Sequence, residues 1–87
     1  MRIWFKIVKD GRVIRSTVIE DDSEETRTHK VFHALEDACR ELDLARPIWL
    51  DAAVTDFKRH ARCRFGQDAF IEQIEFDYLE MHVLEED

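Results

Sequence analysis

Apolar and polar positions alternate through the first twenty residues, and the period changes after them. Arg2–Lys9 and Arg12–Glu20 are rich in Ile, Val, Phe and Trp, and they flank Asp10-Gly11. Asp-Gly is a preferred two-residue hairpin turn, because both central positions take positive φ. Such a turn predicts a register in which Ile3 faces Val18, Phe5 faces Ser16 and Ile7 faces Ile14. Five of these six are apolar, so theirs is the expected core side. The other face carries Trp4 opposite Thr17, Lys6 opposite Arg15, Val8 opposite Val13 and Arg2 opposite Ile19. Trp4, Val8, Val13 and Ile19 make that second face half apolar. A freely solvated sheet surface is more polar, so these four are the candidate partner-binding residues. For Trp4 two readings stand side by side: coverage by the chain's own second helix, or an interface anchor of the kind Trp often supplies.

Residues 20–25 form an acidic connection into a helix capped by Ser23 or Thr26. Val31, Leu35, Ala38 and Leu42 recur at helical spacing, which predicts a helix over about 27–43. Pro47 disfavours helical geometry at Arg46 and places the end near Asp43 or Leu44. Residues 47–50 read as an extended apolar run. Val54, Phe57 and Ala61 fit a second, shorter helix over 52–61 capped by Asp51, followed by a strand at Arg62–Phe65. Phe57, Ala61, Cys63 and Phe65 also fit a strand. Gly66-Gln67-Asp68 reads as a turn. Residues 74–84 read as a long strand whose alternation slips at Tyr78–Leu79, where a β-bulge or a bend is expected. Together these elements predict a single α+β domain over residues 1–87. It has two layers: an antiparallel sheet, made of the N-terminal hairpin and the long C-terminal strand, packed with one main helix and the shorter one.

Composition narrows the functional classes. The chain has 45% apolar and 38% charged residues, two glycines and one proline, which excludes disordered and low-complexity classes. At 87 residues the core is small, and oligomerisation is a common remedy for that. Net charge is −7, opposite in sign to a bulk polyanion binder. One basic cluster interrupts the acidity: Lys58, Arg59, Arg62 and Arg64 are the candidate anion-binding residues, whereas residues 66–87 hold no Lys or Arg. Helix-terminal cations and pairing with the acidic tail account for the same cluster without a ligand.

Catalytic and metal chemistry find little support. Gly11 and Gly66 are the sole glycines, so glycine-rich phosphate loops are excluded. Cys63 has His60 and cationic neighbours that would lower a thiol pKa, but no third orienting group is visible. His29 and His33 stand one helical turn apart with Asp37 a further turn on, a weak candidate metal pair on a wet helix face. No metal or other cofactor is expected. Two cysteines are too few for a disulfide framework, and Lys6 and Lys9 interrupt any signal-peptide core. The expectation is a cytoplasmic chain beginning at Met1, with no membrane association.

Residues 47–50 (Pro-Ile-Trp-Leu), 62–65 (Arg-Cys-Arg-Phe) and 76–80 (Phe-Asp-Tyr-Leu-Glu) resemble those of small uncharacterised bacterial proteins typical of Clostridia and their relatives. The likeness covers most of the chain. It implies a bacterial, cytoplasmic, single-domain protein and brings no activity, cofactor or catalytic residue with it. The functional expectation is a non-enzymatic protein–protein interaction module that self-associates to a homodimer or binds another protein. The alternative is a nucleic-acid-associated protein using the basic 58–64 segment.

Overall fold

A computed structural model describes all 87 residues. In chain order come β1 (Arg2–Lys9), β2 (Arg12–Glu20), α1 (Arg27–Glu41), α2 (Asp51–His60), β3 (Arg62–Phe65) and β4 (Tyr78–Glu85). A single 3₁₀ turn lies at Gln67–Ala69. The strands form one antiparallel sheet in the order β2-β1-β4-β3, so the α+β class is as the sequence predicts.

Asp10 and Gly11 take φ values of 52° and 76°, as the two-residue reversal requires. The register that should follow holds for just two pairs, Lys9 with Arg12 and Val8 with Val13. Ile14 is then an extra residue, and Ile7 lies opposite Arg15. This β-bulge exchanges the face of every β2 side chain beyond it. Ile3 therefore faces Ile19, Phe5 faces Thr17 and Trp4 faces Val18. β1 keeps its expected sides, with Ile3, Phe5 and Ile7 all buried. The β2 half of the expected pattern is inverted: Val18 leaves the core side and Ile19 joins it.

The exchange has a local rationale. With Arg15 on the core side of the sheet, its guanidinium reaches the end of α1, donating to the carbonyls of Leu42 (3.0 Å) and Glu41 (3.4 Å). Those carbonyls lack intrahelical donors, and a cation there also complements the helix dipole. Ile19 packs against the core from the same side.

Thr26, not Ser23, caps α1, its hydroxyl accepting from the His29 N–H at 3.3 Å. The helix ends at Glu41, slightly before the expected stop, in a Schellman motif. Asp43 takes φ 56°, and the Leu44 N–H donates to the Cys39 carbonyl at 2.8 Å. Its apolar stripe (Val31, Ala34, Leu35, Ala38, Cys39, Leu42) is buried against the sheet. α2 starts at Asp51 with Leu50 as its cap residue, and Ala61 closes it in the left-handed region. Lys30, buried on α1, donates to the Asp87 carboxylate and so ties the tail after β4 to the helix.

The expected bulge at Tyr78–Leu79 is absent. Residues 74–77 precede the strand, and β4 begins at Tyr78, so the slip in alternation marks where pairing starts. From there Leu79, Met81 and Val83 enter the core. The irregularity in β4 lies instead at Leu84, between the Val83–Ile3 and Glu85–Arg2 pairs.

β2 and β3 occupy opposite edges of the sheet, and α1 and α2 carry the chain from one to the other. Both helices lie on the same face. Phe57 of α2 joins the core cluster, and Trp49, just before α2, meets Phe57 and Phe65 edge-on at 5.7 and 5.0 Å. Coverage of Trp4 by α2 is thereby ruled out. The other face of the sheet has no layer over it.

Gly11 is the cleanest probe of the turn, because a Cβ built there meets nothing within 4 Å and only the backbone conformation resists it. Gly11→Ala is expected to cost about 1 kcal/mol, read as a lowered urea midpoint with an unchanged slope. Gly11→Asn, which tolerates positive φ, should cost less.

Candidate functional site

The open face is built in rows that cross the strands. One row runs Ser16, Lys6, Glu80, Arg64, and the next runs Val18, Trp4, His82, Arg62. Val13, Val8 and Tyr78 form a third row, and Glu20, Arg2 and Glu85 close the far end. Sheet geometry alone brings these side chains together, since opposed residues in antiparallel strands point to the same side.

Glu80 organises the centre. Its carboxylate binds Lys6 Nζ at 2.6 Å and Arg64 Nε at 3.2 Å. Each cation also lies over an aromatic ring, Lys6 over Trp4 at 4.2 Å and Arg64 over Tyr78 at 4.4 Å. Cation–π contacts of this kind fix flat rings and long side chains together. Only 8% of the Glu80 side chain is exposed, although it belongs to the face without a covering layer. Burial pushes its pKa up, but hydrogen bonds and charge from Lys6 and Arg64 outweigh that and hold it below its ordinary value.

Trp4, Val8 and Val13 share this face as the sequence predicts, but Val8 is buried and leaves Trp4 and Val13 as the accessible members. Ile19 is not on this face, because the bulge turns it to the core side, and Val18, 42% exposed, takes its place. The proposed anion-binding set is also divided. Arg62 and Arg64 lie on the open face, because Cys63 and Phe65 between and after them are buried in the core. Lys58 and Arg59 belong to α2, on the opposite layer. The left-handed turn at Ala61 separates the two pairs. Tyr78, His82 and Glu80 are members of the face that the linear pattern did not single out. Their even-numbered spacing was the available signal.

The His29 and His33 rings stack with centroids 6.2 Å apart, and the Glu25 carboxylate accepts from His29 Nδ1 at 3.1 Å. No group of three or more His, Cys, Asp or Glu is arranged to hold a metal ion. The basic neighbours of Cys63 in sequence do not lower its pKa. Cys63 faces the core, away from Arg62 and Arg64, and burial pushes its thiol up to about 12, helped by the charges of Asp56 and Glu80. Burial likewise pushes Cys39 up to about 11. Both are protonated thiols at neutral pH, unsuited to nucleophilic attack. No helix is long and apolar enough to cross a membrane.

With this geometry in hand, comparison with family models, curated proteins and solved structures finds no match.

Two outcomes follow from these environments. Cys39 and Cys63 should resist an aromatic disulfide reagent in native buffer and react fully once the protein is unfolded in guanidinium. Glu80, whose pKa is lowered in the fold, stabilises the protein fully above its unfolded value near 4.5, and that stability is lost as pH falls through the lower folded value. Glu80→Gln should therefore be less stable than wild type at pH 7 and lose less stability between pH 5 and pH 3. Urea midpoints across that range measure the difference, and equal slopes would contradict it.

Proposed function

We propose that the protein is a non-enzymatic interaction module whose open sheet face docks against the same face of a second copy. The observation that carries this reading is an uncovered four-stranded face on which Trp4 lies beside Val18, with Val13 and Tyr78 two rows away across Lys6 and Glu80. Trp, Tyr and Arg are the residues most often responsible for binding energy at interfaces, and all three meet here. Strand spacing of about 4.8 Å and a rise of about 3.3 Å per residue give the face a projected area of about 450 Å². Two such faces bury a total of about 900 Å², below the ~1,200 Å² at the low end of stable specific interfaces and within the range of weak, transient ones.

Charge favours a second copy over a nucleic acid. Three of the four cations on the face are already paired: Lys6 and Arg64 with Glu80, and Arg2 with Glu20 and Glu85. Arg62 is left without an ion pair, a small electrostatic footprint for contacting a phosphate backbone. A two-fold axis parallel to the strands lays β3 of one copy over β2 of the other. The arginine-bearing edge then meets an edge whose outward residues are Val13, Ser16, Val18 and Glu20, which carries no cation on that side. Sheet-on-sheet packing of this kind tolerates the twist of each layer at about −30°.

Light scattering or sedimentation over the micromolar range provides the test. Wild type is expected to shift from about 10 to about 21 kDa, twice the 10.4 kDa chain, as concentration rises. Trp4→Glu and the milder Val18→Glu should weaken association about thirtyfold or more, the loss of a ~2 kcal/mol hot spot, with circular dichroism unchanged. Ile71→Glu, at a residue 91% exposed outside the sheet, should leave it unaltered. A wild-type monomer at several hundred micromolar overturns the reading, and so does salt-sensitive retention of labelled RNA that is lost in Arg62→Glu.

A further inference from the structure

The layer opposite the open face holds a second feature, independent of self-association. A hollow of about 240 Å³ lies between α1 and α2, walled by Phe32, Trp49, Phe57 and Val54, with Arg27 and Lys58 among its lining residues. A second hollow of about 260 Å³, lined by Arg46 and Pro47, shares Phe32 and Trp49 with it. The Phe32 and Trp49 rings meet edge-on at 6.2 Å, and Phe32 is 48% exposed. Half-exposed aromatic walls around a concave space form the usual lining of a small-molecule site.

Charge sorts the hollows of this molecule into two kinds. The hollow beside the end of β2 is lined by Glu20, Asp21, Glu36 and Asp37 with His33, and the one near residues 70–76 by Asp43, Glu72 and Glu75 against one cation, Arg15. The two aromatic hollows are lined by cations and by no carboxylate, in a chain whose net charge is −7. Arg27 is held by Glu86 over the Phe57 ring, and Arg46 by Glu36. Lys58 makes no ion pair and is free to meet an anion. Trp49 adds an unsatisfied group, since its indole N–H is buried with no acceptor. Buried donors of this type are ordinarily paired.

We infer that the hollow between α1 and α2 is a binding site for a small aromatic carboxylate. Its ring stacks among Phe32, Trp49 and Phe57, and its carboxylate meets Lys58. The size agrees with this class: a cavity of about 150 Å³ accommodates benzene, so 240 Å³ takes one ring with a short acidic arm, or a fused pair of rings.

The two tryptophans make the test self-controlled, because Trp4 lies on the other side of the sheet. Phenylacetate and indole-3-acetate are titrated into the intact protein while both indole N–H resonances are followed by ¹⁵N NMR. The Trp49 signal is expected to shift saturably, with half-saturation below about 1 mM for so small a ligand, and Trp4 should stay in place. Phenylacetamide, isosteric but neutral, should bind at least fivefold more weakly, as should phenylacetate to Lys58→Glu, an exposed helix variant. Val54→Trp, which fills the hollow, should abolish the shift. No movement of the Trp49 resonance at 10 mM overturns the inference, and so does equal binding of the amide or indifference to both substitutions. Tenfold tighter binding of a short peptide ending in phenylalanine would assign the hollow to a protein tail and overturn the small-molecule assignment.

Discussion

A chain that uses two helices to travel from one edge of a four-stranded sheet to the other can cover one face and not both. β2 and β3 are those edges, and α1 and α2 make the crossing in sequence, so both helices lie on the side of Phe5, Phe65, Leu79 and Met81. These four side chains are buried to within 1% of completely, and they set the sides of β1, β3 and β4 by the two-residue period of a strand. Trp4, Tyr78, His82, Arg62 and Arg64 are consequently directed the other way. The composition of the open face is the complement of the core.

Aromatic rings on that surface are partly screened by charge, and the row through Glu80 is where this occurs. Two cations share one carboxylate, and each folds down on a neighbouring ring. The arrangement sets the charged ends of Lys6 and Arg64 over aromatic rings while keeping both paired with Glu80. Trp4 and Tyr78 are left half-buried by their own neighbours.

The fold was legible in the sequence wherever chemistry is local. Asp10-Gly11 announces its turn through two positive φ values and the α1 stripe declares its period, whereas the helix stops at a Schellman motif around Asp43, ahead of Pro47. The bulge at Ile14 was not legible. Val13 and Ile14 are both apolar, as are Val18 and Ile19, so the β2 alternation reads equally well in either phase. Contact between Arg15 and the end of α1, a long-range interaction, selects the phase. The same limit explains the site. Trp4, Val8 and Val13 followed from the hairpin alone, whereas Val18 replaced Ile19 through the bulge. Lys58, Arg59, Arg62 and Arg64 are neighbours in sequence, yet a helix end and a strand separate them into two layers. Trp49 and Phe57 were legible as apolar residues, but the hollow they wall depends on how α1 and α2 approach, which no linear pattern encodes.

One face of the sheet is bare in a single copy, and it is the surface at which we propose that copies meet. Amide and indole ¹⁵N spectra recorded between 20 µM and 1 mM address both points. Concentration-dependent shifts confined to Trp4, Val18, Tyr78, His82 and Arg62, with α1 and α2 unmoved, are the predicted result. Shifts centred on the helices, or spectra that do not change across the series, would contradict it.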